Sequence, residues 1–200
     1  FEPGLSDLLN SSLRSGNIRF STSNNNSKSE IYIIAVGTPL NKFDKPELKA
    51  LKNATNAIGK NLKNGDLVML RSTVPPGTTR EVVIPILERL SNLKAGKDFS
   101  IAFAPERTIE GNAMKELKTL PQVIGGLTIN CTRKASEFWS ILTQSVVQLS
   151  SLEAAELVKL ANNTYRDLSF AFANELALIS DKFNINSFDL IHAANEGYPR

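Results

Sequence analysis

The sequence holds a single cysteine and a single histidine. One cysteine, Cys131, cannot form an internal disulfide, which fits a reducing compartment and makes the cytoplasm the expected location. One histidine, His192, leaves no all-His or Cys/His set for a metal. Long apolar runs are also missing: none approaches the roughly 18 residues a membrane span needs, and no signal peptide is visible. Charge of one sign is scarce too. The net charge is +3 with acids and bases interspersed, too weak and too mixed to argue for nucleic acid or a membrane surface. What remains is the composition of an ordinary soluble globular protein. The 200 residues suffice for one domain with a good core and part of a second. The chain opens on Phe1 in mid-pattern and closes on Arg200 just after a proline, so an internal fragment of a longer protein is expected.

The stretch from 150 to 183 organises the rest. No glycine or proline interrupts it, and Ser150 with Glu153 three residues on reads as a capping box. Its apolar residues cover most of a helical circumference, which demands burial on more than one side. A narrow polar line crosses that surface. Lys159 and Asn163 are one turn apart, Arg166 follows, and Asn174 and Glu175 continue the side. One reading is a solvated stripe; the other is an amine and an amide aimed at an oxygen that becomes negative during a reaction.

Upstream, strands alternate with helices. A short helix is expected over 6–13 and a short strand over 18–22. The run 31–36 is continuously apolar, as in a parallel strand buried on both faces. Helix 46–62 has Pro46 in its first turn. Strand 67–72, helix 79–90, strand 99–104, strand 122–125, helix 132–142 and strand 146–149 follow, then the long helix and a short one over 187–194. This alternation predicts an α/β fold with a doubly wound parallel sheet, whose ligands bind beyond the carboxyl ends of the strands. The first three buried strands run into unusual loops: Gly37-Thr38-Pro39, Ser72-Thr73-Val74-Pro75-Pro76-Gly77, and Pro105-Glu106-Arg107-Thr108-Ile109-Glu110-Gly111. Turn chemistry explains any one of them; three in succession along one sheet edge point to a site. The hydroxyls of Thr38, Ser72 and Thr73, with backbone N–H groups near Gly77, are candidates for ribose or phosphate oxygens. Glu106 and Glu110 would share a face if their loop turned helically, one as general base and the other holding a ligand hydroxyl. The competing reading of Glu106 is a salt bridge with Arg107 or a surface position. Cys131, Trp139 and the phenylalanines read as structural.

These motifs, with Phe1-Glu2-Pro3-Gly4-Leu5, Glu156-Leu157-Val158-Lys159-Leu160-Ala161-Asn162-Asn163 and Phe172-Ala173-Asn174-Glu175-Leu176-Ala177, run in order along the chain. They resemble the UDP-sugar 6-dehydrogenases, which use NAD to oxidise C6 of a nucleotide sugar to the uronic acid. Pro105-Glu106-Arg107, with Leu120-Pro121-Gln122 through Gly125-Gly126, looks more like the UDP-N-acetylmannosamine and UDP-N-acetylglucosamine branch than the UDP-glucose branch.

The resemblance implies an incomplete Rossmann-like parallel sheet over 1–149, the later part of an NAD-binding domain. Residues 150–200 would begin an all-α central domain that makes a homodimer through the long helix. It implies that Thr38, Pro39 and Ser72 meet NAD, that Thr73 helps hold the catalytic water, and that Glu110 lies against cofactor or substrate. Glu106 would be the general base, Lys159 and Asn163 would stabilise the oxyanion, and Arg200 would reach substrate. In that family two hydrides pass to NAD in sequence, by way of a thioester on a cysteine.

Two features depart from the pattern. No Gly-rich dinucleotide fingerprint is present, and the family's nucleophilic cysteine, beyond the Pro199-Arg200 segment, is not Cys131. The 200-residue chain is therefore expected to be inactive alone. A non-catalytic truncated module that only dimerises stays open as an alternative. A hydroxyacid or 6-phosphogluconate type of dehydrogenase is a further one, against which the Pro-Glu-Arg-Thr-Ile-Glu-Gly loop argues.

Overall fold

The computed structural model of the protein describes residues 2–22 and 29–197. Two compact units divide it, Phe1–Lys159 and Leu160–Arg200. The first is a five-stranded sheet in the order β1-β2-β3-β4-β5. The strands are β1 (Ile31–Ile34), β2 (Leu67–Leu70), β3 (Ser100–Phe103), β4 (Gln122–Gly126) and β5 (Val146–Leu149). Its helices are α1 (Leu5–Arg14), α2 (Lys49–Gly59), α3 (Ile84–Ser91), α4 (Ala113–Thr119), α5 (Ile129–Trp139) and the start of α6 (Leu152–Lys182).

Period-two alternation divides the strand side chains between two cores. Val68 and Leu70 of β2 join Tyr32, Ile34, Ile101 and Phe103, covered by Leu51 and Ile58 of α2, Leu87 of α3, and Leu152 and Ala155 of α6. Leu67 and Met69 face the other way, onto Ala102, Ile124, Ala135 and Trp139. Burying each large aliphatic chain contributes about 1.5–3 kcal/mol, so β2 anchors both layers.

The sheet is mostly parallel. The exception is β3–β4, which pair antiparallel through Ala102↔Gly126 and Phe103↔Gly125. This reversal differs from the all-parallel expectation, and it matters for the site. It brings the first residue of β4, Gln122, to the edge where β1, β2 and β3 end. The chain then starts α6 from the opposite edge. Gly125 permits the close start, since a Cβ there would lie 2.0 Å from the Ser151 carbonyl oxygen. Seven residues of helix, at about 1.5 Å each, carry the chain back some 10 Å, close to the height of a short strand. Glu156 and Lys159 thereby arrive at the edge that holds the loops.

Several local expectations are corrected. Residues 18–22 form no strand, and Phe20 is 73% exposed. β1 is buried on one face only: α5 covers the sheet from β2 onward and leaves Ile31 and Ile33 open. Helix α2 starts at Lys49, because Pro46 instead bridges Leu40. The third helix opens as a π-helical turn, Thr79–Val83, before α3. Pro85 has no N–H to give the carbonyl four residues back and its ring collides with it, so the first turn widens. α4 is an additional helix that the sequence pattern does not signal. Ser151, not Ser150, caps α6, its hydroxyl accepting from the Ala154 N–H at 3.1 Å. Glu153 pairs with Arg80.

That pair carries a pH prediction. The hydrogen bond from Arg80 pulls the Glu153 carboxyl down to about 2. A carboxyl that titrates lower in the folded chain adds stability above its unfolded pKa, and the increment drains away as pH falls through the folded one. Arg80 is 46% and Glu153 34% exposed, so water screens the pair and the increment is a fraction of ~1 kcal/mol. The stability difference between wild type and Glu153→Gln, read from urea midpoints, is expected to be present above about pH 4.3 and to vanish as pH approaches about 2.

The second unit holds the rest of α6 and α7 (Ser187–Asn195), which is capped by Asn186 through the Phe188 N–H at 2.9 Å. Phe170, Phe172, Leu178, Phe183 and Phe188 of this unit are 59–85% exposed. No helix among the described residues is long and apolar enough to cross a membrane.

Candidate active site

The loops after β1 and β2 are tied to each other. The Thr38 hydroxyl donates to the Thr73 carbonyl at 2.5 Å, and the Ser72 hydroxyl donates to the Val36 carbonyl at 2.6 Å. Each hydroxyl has one hydrogen, and here both hydrogens go to backbone. What these side chains can still offer a ligand is acceptor lone pairs, which suit ribose hydroxyls or an amide NH2 better than a phosphate. Beside them Ala35, Gly37 and Pro39 are exposed, and a Cβ on Gly37 would meet nothing within 4 Å. The result is an open ledge of small residues at the end of β1. Thr73 is half-buried at its inner side.

The backbone N–H groups near Gly77 are not available to a phosphate. The Gly77 N–H donates to Glu156 at 2.6 Å, the Thr79 N–H at 2.8 Å and the Thr79 hydroxyl at 2.6 Å. Glu156 is fully buried, and it fastens this loop to α6.

The loop after β3 is irregular from 104 to 109. Glu106 prevents the helical turn that would have put it on one face with Glu110. Its own carboxylate accepts from the N–H of Arg107 at 2.7 Å and of Thr108 at 2.8 Å. Glu110 is exposed. The ionic partner of Glu106 is Arg71, just past β2, and not Arg107, whose guanidinium donates to the Pro121 carbonyl at 3.1 Å. Burial pushes the Glu106 carboxyl up. The Thr108 N–H and the Arg71 charge outweigh it and leave the group below the ordinary carboxylate range. From α6, the Lys159 ammonium donates to the Glu106 backbone carbonyl. Glu2 holds the far end of the same loop, accepting from the N–H groups of Gly111 and Met114 at 2.9 Å each.

The fold therefore gathers Thr38, Pro39, Ser72, Thr73, Glu106 and Lys159 on the edge where β1, β2 and β3 end. Asn163 follows one turn after Lys159 in the same helix and belongs to the second unit. Arg200 lies outside the described residues. Cys131 is 1% exposed, its thiol taking the Thr128 hydroxyl at 3.2 Å, as a structural cysteine does. Among the described residues no cluster of His, Cys, Asp and Glu could hold a metal.

Arg71, Gln122 and Glu156 were not anticipated as site residues. A signal existed for two of them: Arg71 terminates an otherwise apolar strand run, and Glu156 sits in the apolar stripe Leu152, Ala155, Val158. Gln122 depends on the direction of β4 and has no local signature.

Residues 1–143 match the sequence model of the UDP-glucose/GDP-mannose dehydrogenase family, NAD binding domain, and residues 153–198 match its central domain. The chain belongs to the UDP-glucose/GDP-mannose dehydrogenase family. It is 37% identical over 206 residues to a UDP-N-acetyl-D-mannosamine dehydrogenase of Campylobacter jejuni, covering 100% of this chain and 50% of that protein. Among solved structures, the UDP-N-acetylmannosamine dehydrogenase of Pyrococcus horikoshii superposes with a TM-score of 0.94 at 35% identity, over 100% of this chain and 47% of that one. The GDP-mannose dehydrogenase of Pseudomonas aeruginosa superposes with a TM-score of 0.90 at 30% identity, over 96% and 45%. The chain thus spans about half the length of the curated relatives it matches.

NAD is the cofactor of the matched domain. The residues present fit one end of it. The open ledge at Ala35 and Gly37, with the acceptor oxygens of Thr38 and Ser72, suits a ribose and a flat ring. No glycine-rich phosphate cradle stands among these residues.

Proposed function

We propose that this dehydrogenase-family chain works in the oxidation of the C6 hydroxyl of a UDP-sugar to the uronic acid, with UDP-N-acetylmannosamine or UDP-N-acetylglucosamine as substrate. The observation that carries the reading is the meeting of Lys159 and Glu106 at the carboxyl ends of β1 to β3, beside the ledge of Thr38 and Ser72. Bound NAD would supply the hydride acceptor for C6.

The chain's own residues have the following parts. Thr38, Pro39 and Ser72 seat the cofactor, and Glu110 lies against cofactor or substrate. Lys159, with Asn163 one turn on, stabilises the oxygen that gains charge at C6. Two oxidations pass through a thioester to a cysteine that is not Cys131. Thr73 holds the water that ends it. As that water's oxygen bonds to the acyl carbon, its proton passes to the Glu106 carboxylate and the C–S bond breaks. Arg200 reaches substrate.

The exposed aromatic and aliphatic residues of the second unit support a homodimer through the long helix, since an apolar surface of that kind marks an interaction site.

The test is stoichiometry with the full-length enzyme. UDP-N-acetylmannosamine or UDP-N-acetylglucosamine supplied with excess NAD should yield two NADH and one uronate per sugar. A yield of one NADH with aldehyde as the product, or no NADH with either sugar, refutes the reading.

A further inference from the structure

Arg71 is the least exposed charged residue around Glu106, at 7%, and it is held from three directions. Its Cζ lies 4.3 Å from the centre of the Trp139 ring, near enough for a cation–π contact. One guanidinium nitrogen donates to the Gln122 side-chain oxygen at 3.2 Å. Gln122 is in turn fixed by donating to the carbonyls of Pro105 at 3.2 Å and Val123 at 2.9 Å. The other terminal nitrogen meets Glu106 Oε2. Oε1 is turned to the Arg107 and Thr108 N–H groups.

The carboxylate is thus gripped at both oxygens, by its own loop on one side and by a buried planar cation on the other. An arginine that is stacked and forked loses little further freedom on pairing, so the grip is stiff. Three other charged groups surround Glu106. Lys159 of α6 bonds its backbone carbonyl. The Arg107 guanidinium is directed to Pro121. Glu116 of α4 lines the same small cleft but is occupied with the Ile109 N–H at 2.8 Å and the Asn112 side chain at 3.1 Å. Of these four charged side chains, Arg71 meets the Glu106 carboxylate itself.

We propose that Arg71 is a positioning residue for Glu106, fixing the direction and the charge of the carboxylate that takes the proton from the attacking water. The inference rests on the reading of Glu106 as general base given above. Its physical content is a compromise. A paired carboxylate is a weaker base, but it stays ionised and aimed throughout the neutral range. Without Arg71, burial is opposed by the Thr108 N–H and the Thr108 side chain, and protonation sets in at higher pH.

The experiment uses the full-length enzyme and two readouts. The first is the Glu106 carboxyl titration by NMR of carbon-13-labelled glutamate, assigned with Glu106→Gln. The second is the pH profile of kcat for uronate formation. In Arg71→Met both the titration and the acid limb should move up by about one pH unit or more. In Arg71→Lys, which keeps charge and loses the planar stack, both should move up by less. A folded Arg71→Met whose Glu106 titration is unmoved overturns the proposal. Should that variant not fold, Arg71→Lys decides, and a titration identical to wild type overturns it. If the titration moves while the acid limb of kcat stays put, Arg71 still governs the carboxyl but Glu106 is not the base. That outcome removes the positioning role together with that part of the functional reading.

Discussion

Glu156→Leu should lower the unfolding free energy by about 3–5 kcal/mol, the range seen when one partner of a buried charged contact is removed. Leucine is close in volume, so little cavity is created and the loss isolates the hydrogen bonds. The carboxylate accepts from two backbone N–H groups and one hydroxyl, at 2.6–2.8 Å, in a place sealed from water. Removing it strands all three donors, and each buried donor without an acceptor costs about 1–3 kcal/mol. The total stays below the sum because the loop can swing toward solvent. Glu156→Gln should fall between, since the amide keeps one acceptor but sets an NH2 against a donor. Urea midpoints measure the loss. Amide exchange at Gly77 and Thr79 locates it, and both amides should lose protection in the leucine variant. A leucine variant within about 1 kcal/mol of wild type would mean that water or another acceptor satisfies this loop.

The apolar strand runs and the loops that follow them were legible because they are local. Leu67, Val68, Met69 and Leu70 read as part of an apolar strand from four consecutive apolar residues, and all four are buried. The long helix was equally plain, lacking any breaker from Leu152 to Lys182. Direction was not legible. The run Gln122–Gly126 has the same character whichever way it pairs, and only the path through α4 and the loop before it reverses it. Edge position was hidden for a related reason: Ile31 and Ile33 are as apolar as their buried neighbours, and only the extent of α5 decides that nothing among the described residues covers them.

The chemistry divides in the same way. That Glu106, Lys159 and the hydroxyls of Thr38 and Ser72 matter could be proposed from loop position and resemblance. Whom they bind could not. Glu106 passes over its neighbour Arg107 for Arg71, 35 residues earlier. Pairings of that kind arise from the meeting of strand ends, which no window of sequence contains. The hydroxyls of Thr38 and Ser72 carry a similar lesson: their identity suggested donors, but each has given its hydrogen to a backbone carbonyl.

Lys159→Ala in the full-length enzyme should lower kcat by about 10²–10³-fold, the usual consequence of deleting one oxyanion donor, with a much smaller change in KM. The ammonium carries three donors, and one of them meets the Glu106 carbonyl. The side chain thus stands beside Glu106 and anchors the loop that bears it. These two duties make separable predictions. Loss of the anchor alone would slow the hydrolytic half and let the covalent intermediate accumulate, with the first NADH released at nearly the normal rate. Loss of charge stabilisation at C6 would slow hydride transfer itself, which single-turnover measurement of the first NADH reads directly. The expectation is that the first turnover slows by most of the full factor, because the charge acts on the oxygen that develops in every step, whereas the loop has a second tether in Glu2. Lys159→Arg, which keeps the charge on a longer and flatter head, should recover part of the hydride-transfer rate. An alanine variant whose kcat stays within about threefold of wild type would remove Lys159 from the oxyanion role.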